Sequence, residues 1–377
     1  MKIGIDLKNL YLYGKGIGNF LISLLDDLSE IHFDKLDFLL LAPKIKNEIK
    51  DISFDSFHID IVAEIDKSSK ISKVLYDQIF VLKALNKNSV DLLFSPYFDI
   101  PFFWNRKLIT TIHDLSIIHL KSQYNFFFYQ YYNLLLKKAI RQSSFIYTVS
   151  ESSKKEIIKE YKYPEENIFV LYNRVSDNLI SFQAIDENEK ARFRNEITLI
   201  YNLPKDFILY TGGIENRKNI PLLIDGLNLA RKECLEVPKL VITGYDPITH
   251  KQYDRWLQTN PNVILLPLVD KNVIPVLYDL CSCVVNTSSY EGFGIPILEG
   301  LTLGKPIICS DIPVYREIAD GIAIFFDNNS TVNFIEKLEA FFKKEISFDK
   351  ELAIVKARFF NDKTLNHQNI INSFNLL

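Results

Sequence analysis

The stretch Cys283–Gly300, CVVNTSSYEGFGIPILEG, decides how this chain folds. Its opening, CVVNTSS, is a short apolar run with β-branched residues, which fits a strand buried on both faces. Gly292 and Gly294 then leave the backbone bare. Pro296 suits the first turn of a helix and Gly304 suits its stop, so the order is strand, glycine loop, helix. The stretch Phe207–Leu227, FILYTGGIENRKNIPLLIDGL, repeats that order. There the strand closes on Gly212 and Gly213, and Arg217, Lys218 and Asn219 stand at the helix entrance.

Similar apolar runs alternate with helical patterns along the whole chain. KIGIDL, LDFLLLAP, VDLLFSP, KLITTIHD, SFIYTVS and NIFVLYN come first, followed by FILYTGG, KLVITGY, NVILLPL, CVVNTSS and KPIICSD. Strands buried on both faces and separated by helices predict parallel sheets, and the 377 residues fit two doubly wound α/β domains of Rossmann-like type. Between Val175 and Asp206 the chain carries no such strand and holds a charged helical segment, DENEKARFRNEITLIY. The boundary is therefore expected near residue 180. In each domain a ligand belongs at the carboxyl ends of the strands, where chain direction across the sheet reverses, and a shared site would lie in the cleft between domains.

Composition removes several functional classes. Residues 1–180 hold 23 basic against 22 acidic side chains and the rest hold 21 against 25, so neither half has the positive excess of a nucleic-acid binder. No apolar run approaches the roughly 18 residues that span a bilayer, and MKIGIDLKNL lacks the apolar core of a secretory signal. Cys234, Cys281, Cys283 and Cys309 form no Cys-x-x-Cys pair and predict reduced thiols in a cytoplasmic protein. The aromatic segment Tyr124–Gln142, ending in Lys137, Lys138 and Arg141, reads either as packing inside the first domain or as a helix on a membrane surface.

The chemistry concentrates at the two strand-to-helix junctions. Glycines at 292 and 294 let a ligand approach the backbone, and the N–H groups opening the helix favour an anion such as phosphate. Glu291 and Glu299, eight positions apart, would repel that phosphate, so they must face hydrogen-bond donors such as sugar hydroxyls. A nucleotide sugar satisfies both demands. The plainer alternative is a solvated Glu291 and a Glu299 that complements its helix terminus. Arg217 and Lys218 suit a diphosphate, with the alternative of an ordinary solvated pair. His113 and Asp114, at the end of KLITTIHD, face the expected cleft as sugar contacts or proton-transfer groups, or serve as structural hydrogen bonders. GKGIGNF, Gly14–Phe20, fails as a dinucleotide fingerprint because Asn19 replaces the third glycine and no acid follows the next strand. It reads better as a glycine-rich loop over the cleft.

In combination these residues resemble the retaining glycosyltransferases of family 4. YEGFGIPILE resembles their E-x7-E motif, and GKGIGNF, IHD, TVSESSKKEI and GGIENRKNIPLLI fall in the same order over roughly residues 1–320. The resemblance implies the GT-B fold, with an N-terminal acceptor-binding domain over 1–180, a nucleotide-sugar domain over 181–355, and a C-terminal helix over 356–377 crossing back to the first domain. It implies that Glu291 contacts the donor sugar, Glu299 the ribose, and Arg217 with Lys218 the diphosphate. Gly292, Phe293, Gly294 and Gly213 would line the donor, His113 would sit by the reacting sugar with Asp114 among the ligand-binding residues, and Gly16 and Gly18 would lie near phosphate and acceptor.

No metal or other cofactor is expected, since no Asp-x-Asp triple occurs and two cations can stabilise the leaving group. The glycine pattern is similar to bacterial relatives using GDP-mannose or related deoxyhexose donors, so a GDP-sugar is favoured, with UDP- and dTDP-sugars open. The acceptor implied is a glycan or lipid-linked glycan in surface polysaccharide assembly, which would bring the protein to the inner face of the plasma membrane. Arg174, in LYNRVSD, departs from the family's Asn-Gly-Val and puts the hinge geometry in question. A nucleotide-sugar 2-epimerase and a non-catalytic sugar-nucleotide binder remain alternatives.

Overall fold

The computed structural model describes residues 1–12, 15–45, 56–66, 69–232, 236–245 and 257–377. Cys234, Tyr13 and Gly14 lie outside the described residues. The chain divides into two compact units, one of residues 1–174 with 362–377 and the other of residues 175–361.

The first unit is built on β1 (Lys2–Asp6), β2 (Asp37–Ile45), β3 (His58–Ile65), β4 (Leu92–Ser95), β5 (Lys107–Thr111), β6 (Ser143–Thr148) and β7 (Ile168–Val170). They form a parallel sheet in the order β3-β2-β1-β4-β5-β6-β7, so chain direction across the sheet reverses between β1 and β4. The second unit has β8 (Phe207–Thr211), β9 (Lys239–Thr243), β10 (Val263–Leu265), β11 (Cys283–Asn286), β12 (Ile307–Ser310) and β13 (Ile324–Phe326). Their order is β10-β9-β8-β11-β12-β13, again parallel, with the reversal between β8 and β11. Every residue of β4, β8, β11 and β12 is buried, as expected when helices cover both faces of a parallel sheet.

Several local readings need correction. Gly16 and Gly18 are not in a loop: they lie in the first turns of a helix, Lys15–Glu30, whose Phe20, Leu21, Leu24, Leu25 and Leu28 form one buried stripe. That stripe gives the segment a packing reason to be helical despite its glycines. The C-terminal segment is two helices, Lys350–Asn361 and Lys363–Phe374, because Asp362 turns its side chain onto the Thr364 N–H and starts a new helix. The units change at Arg174/Val175 and Asn361/Asp362, a few residues from 180/181 and 355/356. Gln183, in the helix Asp177–Ala184, donates to the Thr302 carbonyl at 2.9 Å, which ties that helix to the second unit. The edge strand β3 and the three-residue β13 were not expected.

The aromatic segment forms a helix, Phe126–Gln142, capped by Asn125. Leu135, Leu136, Ala139 and Ile140 are buried, while Phe126 and Phe127 are exposed. Among the described residues no helix is long and apolar enough to cross a membrane. Cys281, Cys283 and Cys309 are buried free thiols, and burial raises the pKa of each, so they stay protonated and unreactive.

Arg174 does not loosen its turn. Its Nη1 donates to both Asp27 oxygens at 2.8 and 2.9 Å, and its Nη2 donates to the Ser23 carbonyl at 3.1 Å. His367 Nε2 lies 3.0 Å from Asp27 Oδ1, and Lys363 binds Glu30. One face of the helix Lys15–Glu30 thus anchors both the end of the first chain segment and the C-terminal helix.

In the second unit, Gly226 brings the helix Ile220–Lys232 against the helix Thr331–Phe342. A Cβ built on Gly226 would meet the Phe334 ring at 2.6 Å. Alanine gains about 1 kcal/mol of helix propensity over glycine, whereas overpacking a close contact costs about 1–3 kcal/mol. The ring cannot retreat, since Phe334 is fully buried against Phe326. Gly226→Ala should therefore lower the urea midpoint of the second unit, and an unchanged or raised midpoint would show that propensity wins.

Candidate functional site

The two junctions singled out in the sequence leave the neighbouring strands β8 and β11, on either side of the second unit's reversal point. After β8 the backbone passes through Gly212 at φ +127°, a conformation that side-chain-bearing residues rarely adopt. A 3₁₀ turn, Asn216–Lys218, and a left-handed Asn219 lead into the helix Ile220–Lys232. After β11 the loop runs to Gly294, at φ +131°, where the helix Ile295–Thr302 begins with Pro296 in its first turn. A Cβ on Gly294 would lie 2.8 Å from the Tyr315 ring, so glycine is required twice over.

The two loops are stitched together. Thr287 Oγ1 lies 2.8 Å from the Lys218 carbonyl and 3.1 Å from that of Asn219, and Ser289 N–H donates to the Arg217 carbonyl at 2.7 Å. Across that seam, Arg217 Nη1 donates to Glu291 Oε2 and Lys218 Nζ to Glu291 Oε1, each at 2.5 Å. Arg217 Nη2 reaches Glu215 at 2.9 Å. Glu291 and Lys218 are about nine-tenths buried, whereas Glu215 is more than half exposed. Burial by itself would raise the Glu291 pKa. The charges of Lys218 and Arg217, with hydrogen bonds from Lys218 and Ser288, outweigh burial and bring it down to about 2.

A chain of buried polar groups backs Glu291. Asn286 Oδ1 accepts from Tyr315 Oη at 2.7 Å and from the Ser288 N–H at 3.1 Å. The Ser288 hydroxyl lies 2.7 Å from the same oxygen and 2.8 Å from Glu291 Oε1; with both lone pairs of Asn286 Oδ1 used, its proton goes to the charged carboxylate. Glu299 sits one helical turn inside the helix Ile295–Thr302. Its Oε2 accepts from Tyr278 Oη at 2.6 Å, and Tyr278 Oη lies 2.7 Å from Thr211 Oγ1.

Glu291, Arg217 and Lys218 thus meet directly, and Glu299, Gly292, Gly294 and Gly213 belong to the same two junctions. Phe293 is buried with its ring against Phe360, so its side chain is committed to packing. The remaining candidates belong to the first unit, at the carboxyl ends of its strands. His113 is buried, with Nε2 3.0 Å from the Pro96 carbonyl and its ring against Phe20 at 4.8 Å. A carbonyl only accepts, so Nε2 carries the proton. Burial lowers the His113 pKa, which keeps the ring neutral. Asp114 accepts from the Ser116 N–H at 2.8 Å, opening the short helix Ser116–His119. Sequence reasoning missed Tyr278, Thr211, Asn286, Ser288 and Tyr315. Of these, Thr211, Asn286 and Ser288 stood within the quoted runs FILYTGG and CVVNTSS.

Residues 194–358 match the family described as glycosyl transferases group 1, and residues 16–179 match glycosyltransferase family 4. O-antigen chain mannosyltransferase B of Escherichia coli is 27% identical over 295 residues, 75% of this chain and 73% of that protein. O-antigen chain mannosyltransferase RfbU of Salmonella typhimurium is 25% identical over 347 residues, 89% of this chain and 90% of that protein. The crystal structure of Anabaena HepE in complex with UDP and glucose superposes with a TM-score of 0.72 over the whole of both chains, at 18% identity, a likeness of fold.

The Glu291 pKa gives a sign to acid stability. Its folded value, about 2, lies below the 4.5 of a free glutamate, so its contribution is complete above about pH 4.5 and is lost as pH falls towards 2. That difference corresponds to roughly 3 kcal/mol. Glu291→Gln should destabilise the protein at pH 7, by leaving Lys218 buried with a neutral partner, and should flatten stability between pH 5 and 2. Urea titrations at stepped pH would read this, and parallel curves for variant and parent would contradict it.

Proposed function

We propose that this chain, a GT-B glycosyltransferase similar to family 4, moves a hexose from a nucleotide diphosphate sugar to a hydroxyl of a glycan or lipid-linked glycan, with retention of anomeric configuration and without a metal ion. Mannose from a GDP-sugar is the favoured donor, because two relatives of similar length are named mannosyltransferases in O-antigen assembly. The UDP in the HepE structure keeps a uridine nucleotide as the second choice.

The observation that carries this reading is the junction of Arg217 and Lys218 with Glu291 beside the reversal point of the second sheet. Doubly wound sheets bind nucleotides at such points. An ammonium has three donors and a guanidinium five, so each cation can bond a carboxylate and a phosphate oxygen at once. Arg217 Nη2 pairs with Glu215, a side chain more than half exposed, and a diphosphate oxygen can replace that partner without stranding a buried charge. In the reaction the anomeric C–O bond to the diphosphate breaks, the acceptor oxygen bonds to the anomeric carbon, and negative charge collects on the leaving diphosphate. Arg217 and Lys218 stabilise that charge where it forms. The acceptor proton passes to the diphosphate, because Glu291, with its pKa drawn down to about 2, is a poor base.

Arg217→Ala and Lys218→Ala should each lower kcat by about 10²–10³, the range for removing one fixed donor to developing charge, with activity of the parent unchanged in chelator. Radiolabelled sugar transfer from GDP-mannose and UDP-glucose, with and without acceptor, measures this. Isomerised donor formed without acceptor would favour an epimerase, and a requirement for added divalent ions would remove the metal-independent mechanism. His113→Gln should leave the acid limb of the kcat–pH profile in place, and a displaced limb would make His113 the base.

A further inference from the structure

We infer that Tyr278 is a positioning residue for nucleotide binding: its buried hydroxyl aims the Glu299 carboxylate at the ribose diol. This rests on the reading of Glu299 as the ribose contact.

The geometry is specific. Tyr278 lies in the helix Val273–Leu280, is fully buried, and its hydroxyl meets Glu299 of the helix Ile295–Thr302. Its hydroxyl has one proton. Three acceptors surround it: Glu299 Oε2 at 2.6 Å, Thr211 Oγ1 at 2.7 Å and the Pro296 carbonyl at 3.2 Å. The carboxylate is closest and most strongly accepting, so the proton goes to Glu299. Thr211 then donates to the phenol oxygen. Burial raises the Tyr278 pKa well above the usual value, with Glu299 adding to it, so the phenol stays a donor throughout the working range of pH.

The bond uses one side of one carboxylate oxygen. A carboxylate accepts through about four lone-pair sites, so the bond to Tyr278 does not by itself exhaust Glu299. Its rotation about the terminal torsion, which is broad for glutamate, is fixed by the tyrosine. A phenol in place of water also keeps this setting from being lost when ligand expels solvent.

The arrangement has a parallel at the other glutamate. Tyr315, fully buried, holds Asn286, which in turn holds Ser288 against Glu291. Each carboxylate of the pair is therefore set by a buried tyrosine that lies outside the motif, directly for Glu299 and through two side chains for Glu291.

The test is a comparison of ligands within each variant. GDP and UDP are titrated calorimetrically into the purified parent, and whichever binds is compared with its 2′,3′-dideoxy analogue. The parent should prefer the ribose form by about 10–100-fold, the range for hydrogen bonds to a charged group. Tyr278→Phe should reduce that preference to a few-fold, mainly by weakening the ribose form, while affinity for the dideoxy form stays near the parent value. Thr211→Val, which keeps the tyrosine proton on Glu299, should retain most of the preference and guards against a misfolded phenylalanine variant. A purely structural tyrosine would weaken both ligands equally, which would overturn the inference. If Glu299→Gln abolishes the preference while Tyr278→Phe does not, the inference fails and the ribose reading stands. If Glu299→Gln leaves the preference intact, or neither nucleotide binds, the ribose reading fails and the inference with it.

Discussion

One buried carboxylate governs the second unit's candidate site. Glu291 has lost most of its water, and it remains ionised because Lys218 and Arg217 bring charge to both of its oxygens. The dependence is mutual, since Lys218 is as buried as its partner and would be a stranded cation without it. Replacing such a cluster by apolar side chains is often neutral or stabilising, so fold stability alone is a weak reason for its presence. What the cluster does provide is fixed direction. The ammonium and guanidinium are pinned to one carboxylate, and the loops that bear them are sewn together by Thr287 and Ser289. Charge arranged in this way needs little reorganisation when an anion arrives, which is the condition under which electrostatic stabilisation is most effective.

Sheet topology explains why these loops meet at all. The order β10-β9-β8-β11-β12-β13 puts the carboxyl ends of β8 and β11 side by side although some seventy residues separate Arg217 from Glu291. Helices after β8 and β11 diverge because the crossovers run in opposite directions, and the space between their first turns is left to loops. Gly212 and Gly294 let those loops turn sharply, and at Gly294 the Tyr315 ring occupies the place a side chain would need. The same helix Ile295–Thr302 then carries Glu299 inward to Tyr278. Four demands of backbone and charge therefore converge within the short span from Asn286 to Glu299.

Legibility in the sequence followed burial. Strands such as β4, β8, β11 and β12 are apolar throughout because both faces are covered, and that pattern is plain in a single chain. β3 is half-exposed along HIDIVAEI and therefore alternates in polarity without a clean period, while β13 spans only three residues. Gly16 and Gly18 read as a loop from their residue types, yet the leucine stripe that follows outweighs them. Arg217, Lys218, Glu291 and Glu299 were visible because charges beside glycines have few structural reasons to be there. Tyr278 and Tyr315 were not, since each fits the apolar face of its own helix. Their partners lie 21 and 29 residues away, and only tertiary structure makes them neighbours.

The charge states also constrain how a transfer reaction could run at such a site. Glu291, with a pKa near 2, is a far weaker base than an ordinary glutamate. A phosphate with a second pKa of about 6 is a stronger base than this carboxylate, and on the proposed reaction it is set free as the glycosidic bond opens. Arg217 and Lys218 then have two opposed effects. They stabilise the departing diphosphate, which speeds bond cleavage, and they lower its basicity, which weakens its pull on the acceptor proton. Sharing both cations with Glu291 moderates the second effect, because part of their charge is already neutralised. On this view the carboxylate between the two cations tunes the leaving group between stabilisation and basicity, in addition to any contact it makes with the donor sugar.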